Sequence, residues 1–379
     1  MDIICYSHLR WNFVYQRPQH LLSRFASLFR VFFMEEPVYD RADPFMEIQI
    51  TDGNLIVLTP HLPDHLSHHQ KIEAQQELLQ QIYSGYEIAD HIAWYYTPMA
   101  LDIADGLPAP RLIVYDCMDE LSGFQNAPPE LVSKEARLME MADIVFTGGN
   151  SLYHAKKHLH RNIHSFPSSI DKEHFGAART SVIEPADQQQ IPHPRLGFFG
   201  VIDERLDIAL LDAIAKERPE WQIIMIGPTV KVDPSTLPKH ANIHYLGSKT
   251  YQELPLYLAG WDVALLPFAK NASTRFISPT KTPEYLAGGK PVVSTSIEDV
   301  VNPYGINGLV LIADEPGDFI ARIQELLNIK QNRRWLQIVD RFLASISWDK
   351  TWEGMLHQIG LLLEEKKQVI PSNKMHNHV

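Results

Sequence analysis

The sequence predicts an α/β protein built from two doubly wound, parallel-sheet domains. Three observations lead there. The chain has 379 residues, too many for one ordinary hydrophobic core. Short apolar runs rich in β-branched and aromatic residues alternate with amphipathic stretches through both halves, the pattern of βα units around a parallel sheet. The alternation lapses over residues 176–194, where Pro, Gln and Ala gather. We place a first domain at 1–180, a linker at 181–194, a second domain at 195–345, a terminal helix at 346–366 and a polar tail, expected to be disordered, at 367–379.

Hydrophobic residues make up 45% of the chain, as in a soluble globular protein. The formal net charge is −12, so no global field draws in a polyanion, and nucleic acid is not an expected partner. An anionic ligand must then be held by a few local cations and backbone amides. Cys5 and Cys117 are the only cysteines, which leaves no disulfide framework and no cysteine zinc site. The opening Met1-Asp-Ile-Ile-Cys-Tyr6 has no basic leader and reads as a first strand. No apolar run reaches about 18 residues, so no transmembrane helix is expected and the cytoplasm is the expected compartment.

After the first strand comes a polar and aromatic loop, Ser7 to His20. Pro18 then starts an amphipathic helix with Leu21, Leu22, Phe25 and Leu28 on one side. Loops at the carboxyl ends of strands line the ligand crevice of an open α/β sheet. His8, Arg10, Trp11, Tyr15 and Arg17 are therefore candidates for the reaction or for a second substrate; equally, the aromatics could pack the loop with the arginines solvated. Residues 30–34 read as strand two, and 47–59 as a hairpin around Asp52-Gly53. Residues 64–90 read as a polar helix, with His65, His68 and His69 on a solvated face. Strands follow at 92–96 and 111–119, the second with Asp116 and Asp119 at its carboxyl end. These aspartates suit either the cleft or a cap on the next helix.

The second βα series begins at Arg195-Leu-Gly-Phe-Phe-Gly200, where Gly200 permits close backbone approach to a ligand. Buried strands follow at 221–228, ending in Gly227-Pro228, and at 242–247 and 261–268. The stretch Ser278 to Ser294 reads as loop, short helix, stop and strand. Thr280 or Thr282 can cap the helix, Pro283 suits its first turn, and Gly288-Gly289 ends it. A helix N-terminus with Lys281 beside it suits a phosphate, and Glu284 can accept two hydrogen bonds from a vicinal diol such as ribose. The bland alternative is an ordinary αβ connection with a salt-bridged Glu284.

This stretch resembles the donor motif of GT-B glycosyltransferases of group 1, the retaining family 4-like enzymes that include teichuronic-acid and polysaccharide glycosyltransferases. Their Glu-x7-Glu pattern followed by Gly-x-Pro-Val-Val is matched at Glu284 and at Gly289-Lys-Pro-Val-Val293, with Phe276 at the first Glu. Trp11-x4-Gln-Arg-Pro-Gln-His20, Tyr115-Asp-x-x-Asp119 and Phe166-Pro-Ser-Ser-Ile-Asp171 also resemble family segments. The family's usual Arg after the glycine is Val201 here, and Arg205 stands where its second cation, normally Lys, lies.

The resemblance implies the GT-B fold, two Rossmann-like domains facing a central cleft, with the terminal helix crossing back onto the first domain. It implies transfer of a sugar from a nucleotide-diphosphate sugar, UDP by expectation, to a hydroxyl of a glycan or lipid-linked saccharide in cell-envelope polysaccharide biosynthesis. The donor would be bound by Gly200, Arg205, Gly227, Lys281, Thr282 and Glu284. His8, Asp116 and Asp119 are the catalytic candidates, and Arg10, Trp11, Tyr15 and Arg17 those for the acceptor side. In place of an acid at Phe276, the sugar would meet Asn271, Ser273 or Ser278. The chain has no Asp-x-Asp triplet, so no metal is expected, and no cofactor beyond the donor. The resemblance implies retaining chemistry, with an inverting mechanism that uses His8 as base as the alternative. Arg24 and Arg30 read as lying on one helix and Lys156, Lys157 and Arg161 on another; the second group could make a peripheral membrane contact, and a solvated helix is the favoured reading. The alternatives are a nucleotide-sugar epimerase of this fold and a non-catalytic nucleotide-sugar or glycan-binding protein.

Overall fold

The computed structural model describes residues 1–51, 53–328 and 333–369, with the side chains of 368 and 369 left aside. These residues form two sheets. The first contains β1 (Asp2–Tyr6), β2 (Arg30–Met34), β3 (Phe45–Ile50), β4 (Leu55–His61), β5 (His91–Tyr95), β6 (Leu112–Cys117), β7 (Ile144–Thr147) and β8 (Ile163–Ser165). Its order is β3-β4-β2-β1-β5-β6-β7-β8, and β3 runs antiparallel to β4 while the other pairs are parallel. The second contains β9 (Arg195–Phe199), β10 (Gln222–Ile226), β11 (Ile243–Tyr245), β12 (Val263–Leu266), β13 (Val292–Ser294) and β14 (Val310–Ile312). It is parallel throughout, in the order β11-β10-β9-β12-β13-β14.

The central strands are apolar at nearly every position because both of their faces are covered. β1 is buried at all five residues. Alternation divides them between two cores: Ile3 and Cys5 join Leu21, Phe25 and Trp94 on one face, and Ile4 and Tyr6 join Phe32, Leu79 and Tyr95 on the other. The second sheet has one continuous core of its own.

The chain crosses between the sheets earlier than expected. Ile170, Phe175 and Ala178 already pack in the second core. The expected linker is also anchored. Gln188 is fully buried, accepts a hydrogen bond from Trp261 Nε1 (3.0 Å) and donates one to the Tyr257 carbonyl (3.0 Å). Arg195 pairs with Glu184. A polar composition thus marks satisfied side-chain bonds here, not a free tether.

The terminal helix, Trp348–Val369, lies on the first domain, where Trp348, Met355 and Ile359 pack with Leu21, Leu22 and Phe25. It runs three residues past the expected limit of 366; the rest of the expected tail, 370–379, and the turn residue Asp52 lie outside the described residues. No described helix is long and apolar enough to cross a membrane. The expected basic faces are largely spent on ion pairs. Lys156 is buried between Glu120 and Glu135, both 2.8 Å away, Arg24 binds Asp349 and Arg30 binds Asp2. Lys157 and Arg161 stay exposed.

Trp348 has no exposed surface and stacks on His20 at 4.5 Å, so it fixes the returning helix to the first loop. Trp348→Ala is expected to cost about 3–5 kcal/mol, checked by urea denaturation.

Candidate active site

The carboxyl ends of β9 and β10 enter the cleft through two glycine turns packed back to back. Gly200 has φ +138° and Gly227 φ +139°. A Cβ on Gly227 would lie 2.0 Å from the Gly200 carbonyl oxygen, and one on Gly200 would lie 2.1 Å from Lys281 Cε. The glycines are therefore what lets Lys281 lie across the turn. Their own amides are occupied, Gly200 N–H by the Ile226 carbonyl (2.8 Å) and Gly227 N–H by that of Gly247 (2.9 Å). Among the described residues, the next amide, Val201 N–H, meets no backbone acceptor.

Lys281 opens the short helix Lys281–Ala287, which stops at Gly288 and at Gly289 (φ +76°) as the sequence predicts. Among the described residues no carboxylate lies within 4 Å of its ammonium, which sits 5.7 Å from the Phe198 ring centroid. Burial, reinforced by Arg205, pushes the Lys281 pKa down. Glu284, one turn on, is 6% exposed, and burial pushes its carboxyl up while Lys281 pulls it back. Thr282 does not reach the cleft. Its side chain is fully buried without a partner, and its amide donates to the Pro279 carbonyl (3.2 Å). Thr280 lines the cavity instead.

Arg205 also departs from expectation. Its guanidinium bonds both oxygens of the buried Asp203 carboxylate, with the shortest contact 2.7 Å. The pair brings little net charge, so Lys281 is the effective local cation.

A cavity of about 680 Å³ joins these groups to the first loop. Its second-domain wall includes Gly200, Arg205, Gly227, Lys281 and Glu284, and its first-domain wall includes Trp11 and Tyr15. Tyr15 stacks on Tyr251 at 4.5 Å, and Tyr251 stacks on His174 at 4.2 Å. The Tyr251 hydroxyl has no partner and lies in the field of Glu284. Tyr251 was not singled out in the sequence. Its signal was its place in the loop that follows β11, at the carboxyl edge of the sheet.

The first-domain candidates separate into two groups. Arg17 and Asp116 bind each other. Arg17 Nη2 lies 2.9 Å and Nε 3.1 Å from the carboxylate, and Nη1 donates to the Phe166 carbonyl at 2.7 Å. They are 2% and 0% exposed, so neither serves the cleft as a catalytic or acceptor group. Arg10 is likewise a loop anchor, bound to Glu35 (2.9 Å) and to the Pro37 carbonyl (3.2 Å). Glu35 also accepts the Trp11 amide at 2.7 Å, which fixes Trp11 over Phe33.

Asp119 and His8 do face the second domain. Burial lifts the Asp119 carboxyl to about 6, against the pull of Arg205 and Arg17. Burial lowers the His8 imidazole to about 4, helped by Lys231 across the cleft, so it is neutral near pH 7. Its Nδ1 has no partner. Lys231, at φ +59° in the loop after β10, was also missed, because sequence gives no sign that this loop meets the first domain.

Phe276 packs on the first domain's core with Arg275 5.0 Å over its ring. Its expected stand-ins are engaged: Asn271 donates to the Glu204 carbonyl and accepts from Ser273, which is buried. Ser278 lies against Gly149 of the first domain.

Residues 193–329 match the family model for Glycosyl transferases group 1. Over that segment the chain is similar to the group 1 glycosyltransferases. A curated relative, assigned as the teichuronic acid biosynthesis glycosyltransferase TuaH of Bacillus subtilis (strain 168), is 24% identical over 291 residues, 71% of each chain. Sucrose-phosphate synthase from Thermosynechococcus elongatus superposes with a TM-score of 0.71 at 14% identity, over 96% of this chain and 99% of that one. The HepE protein of Anabaena, in complex with UDP and glucose, has a TM-score of 0.66 at 15% identity, over 95% and 99% of the two chains. These neighbours share the GT-B fold, with two sheets facing across a cleft. The glycine turns, Lys281 and Glu284 all fall inside the matched segment.

Removing one half of a buried ion pair leaves the other charge without compensation. Asp116→Ala is expected to destabilise the protein by about 3–5 kcal/mol in denaturant unfolding. Gly200→Ala must both strain the backbone and displace Lys281, and a cost of about 1–3 kcal/mol is expected in the same measurement.

Proposed function

We propose that this protein is a glycosyltransferase that takes a sugar from a UDP-sugar and passes it to a hydroxyl of a saccharide or lipid-linked saccharide in surface polysaccharide biosynthesis. The observation that carries this reading is Lys281, a desolvated ammonium with no carboxylate partner among the described residues, held at a glycine turn in the cleft. Such a cation is matched by an anionic ligand group, and a diphosphate fits the neighbouring Val201 amide as well. We assign Glu284 to the ribose, and Tyr15, stacked on Tyr251 and 41% exposed, offers a ring face to a base. UDP is favoured because HepE, of the same fold, was crystallised with UDP and glucose. The polysaccharide assignment draws on the TuaH relative.

When the bond from sugar to diphosphate breaks, negative charge grows on the phosphate oxygens. Lys281 stabilises that charge in a site of low dielectric, and the Arg205–Asp203 pair fixes the surrounding dipoles. Asp119 faces the same groups from the first domain and is our candidate to orient or deprotonate the acceptor hydroxyl. His8 stays neutral and serves as a second hydrogen-bonding group there. We assign retention of configuration and no metal to the reaction. Any peripheral membrane contact falls to the exposed Lys157 and Arg161, and we expect Lys157→Glu with Arg161→Glu to abolish pelleting with anionic vesicles.

Thermal shift with UDP, GDP, ADP and TDP tests the donor reading. One diphosphate, UDP by preference, is expected to stabilise the wild type, and Glu284→Ala and Lys281→Ala should lose that shift; no shift with any of them would reject the reading. Turnover is expected to persist in EDTA. Because Asp119 acts in its charged form, kcat/KM should fall as pH drops through about 6, and Asp119→Asn should remove that limb.

A further inference from the structure

A second cavity, of about 310 Å³, lies where the chain crosses between the two sheets. That is at the small end of the roughly 300–1,000 Å³ typical of ligand pockets. It shares no lining residue with the larger cavity. Both crossing segments and both domains form it. Phe166 to Ser169 carry the chain out of the first sheet, Ser345 to Thr351 carry it back, Asn150 comes from the first domain, and Ser278, Asp299, Pro303 and Tyr304 come from the second.

The chemistry of this wall is specific. Serines 168, 169, 278, 345 and 347 line it; Ser345 Oγ donates to the Phe342 carbonyl at 3.3 Å and Ser347 Oγ accepts the Lys350 amide at 3.2 Å. Ser169 is 1% exposed, and its Oγ has no hydrogen-bond partner. A buried hydroxyl without a partner is unfavourable unless a ligand or water completes it. The two charged groups present are already engaged. Lys350 Nζ donates to the Ala344 carbonyl at 3.0 Å. Asp299 accepts the amides of Asn150 (2.9 Å) and Ser151 (2.8 Å), at the start of the first-domain helix Asn150–Lys156. The carboxylate disfavours an anion, and the engaged lysine does not offset it. Hydroxyls that both donate and accept, with the Phe166 and Tyr304 rings beside them, match a neutral polyhydroxylated ring.

We propose that this cavity binds a neutral monosaccharide and that its occupancy holds the two domains closed. The bound sugar touches both crossing segments and the Asp299 contact that ties one domain to the other. A ligand that binds only the closed arrangement stabilises it by mass action. The proposal does not rest on the donor reading.

The test titrates the full chain with D-glucose, D-galactose and N-acetylglucosamine by saturation-transfer NMR, with hydrogen exchange followed at the Asn150 and Ser151 amides. One sugar is expected to bind saturably below about 50 mM and to slow exchange at both amides. Ser169→Ala should weaken binding about fivefold, and Ser168→Phe, which fills the cavity, should abolish it. Glu284→Ala, in the other cavity, should leave it unchanged. No saturable binding to the folded wild type would overturn the proposal. So would binding that Glu284→Ala removes and that Ser169→Ala and Ser168→Phe leave intact.

Discussion

A lysine ammonium taken out of water and given no carboxylate is the constraint around which the cleft is built. Lys281 occupies its place because Gly200 has no side chain, and Gly200 can take its turn because Gly227 has none either. Neither glycine can be replaced without a backbone or side-chain shift. The nearest other cation, Arg205, is neutralised by Asp203, so it shapes the field without dominating it. Charge at the site is therefore concentrated on one buried group, which suits a ligand whose negative charge increases during the reaction.

The cleft also depends on close engagement of the two domains. Asp299 of the second domain binds the amides that begin a first-domain helix, Phe276 packs on the first domain's core, and Glu204 accepts the Gln125 amide at 2.8 Å. The stack of Tyr15 on Tyr251 adds a fourth tie. These contacts bring Asp119 into the field of Arg205 and His8 into that of Lys231. The titration of both first-domain groups, governed first by burial, is thus modified by charges more than 80 positions away in sequence. At Phe276, an apolar ring that joins the domains stands where the family resemblance puts a carboxylate.

Much of this was legible in the sequence. Buried strands declared themselves as apolar runs, and the stop at Gly288-Gly289 and the turns at Gly200 and Gly227 were readable because only glycine fits them. Side-chain direction was not legible. Asp116 pairs with Phe146 inside the β6–β7 ladder, so its side chain points into a buried face, whereas Asp119, two residues past the strand, reaches the cleft. Arg17 looked like a free loop cation because its partner lies 99 residues on. Thr282 and Thr280 are equivalent as sequence, and the rotation of one short helix decides which lines the cavity. Tyr251 and Lys231 needed the topology that sets their loops opposite the first domain.

The most direct test of sugar transfer is release of UDP from a UDP-sugar, measured with and without a saccharide acceptor, for the wild type and Lys281→Ala. The account predicts release that depends on acceptor, forms a new glycosidic product and falls by at least about a hundredfold in the variant. A UDP-sugar that is rearranged with no acceptor and no UDP released, or acceptor-dependent release that is undiminished in Lys281→Ala, would contradict it.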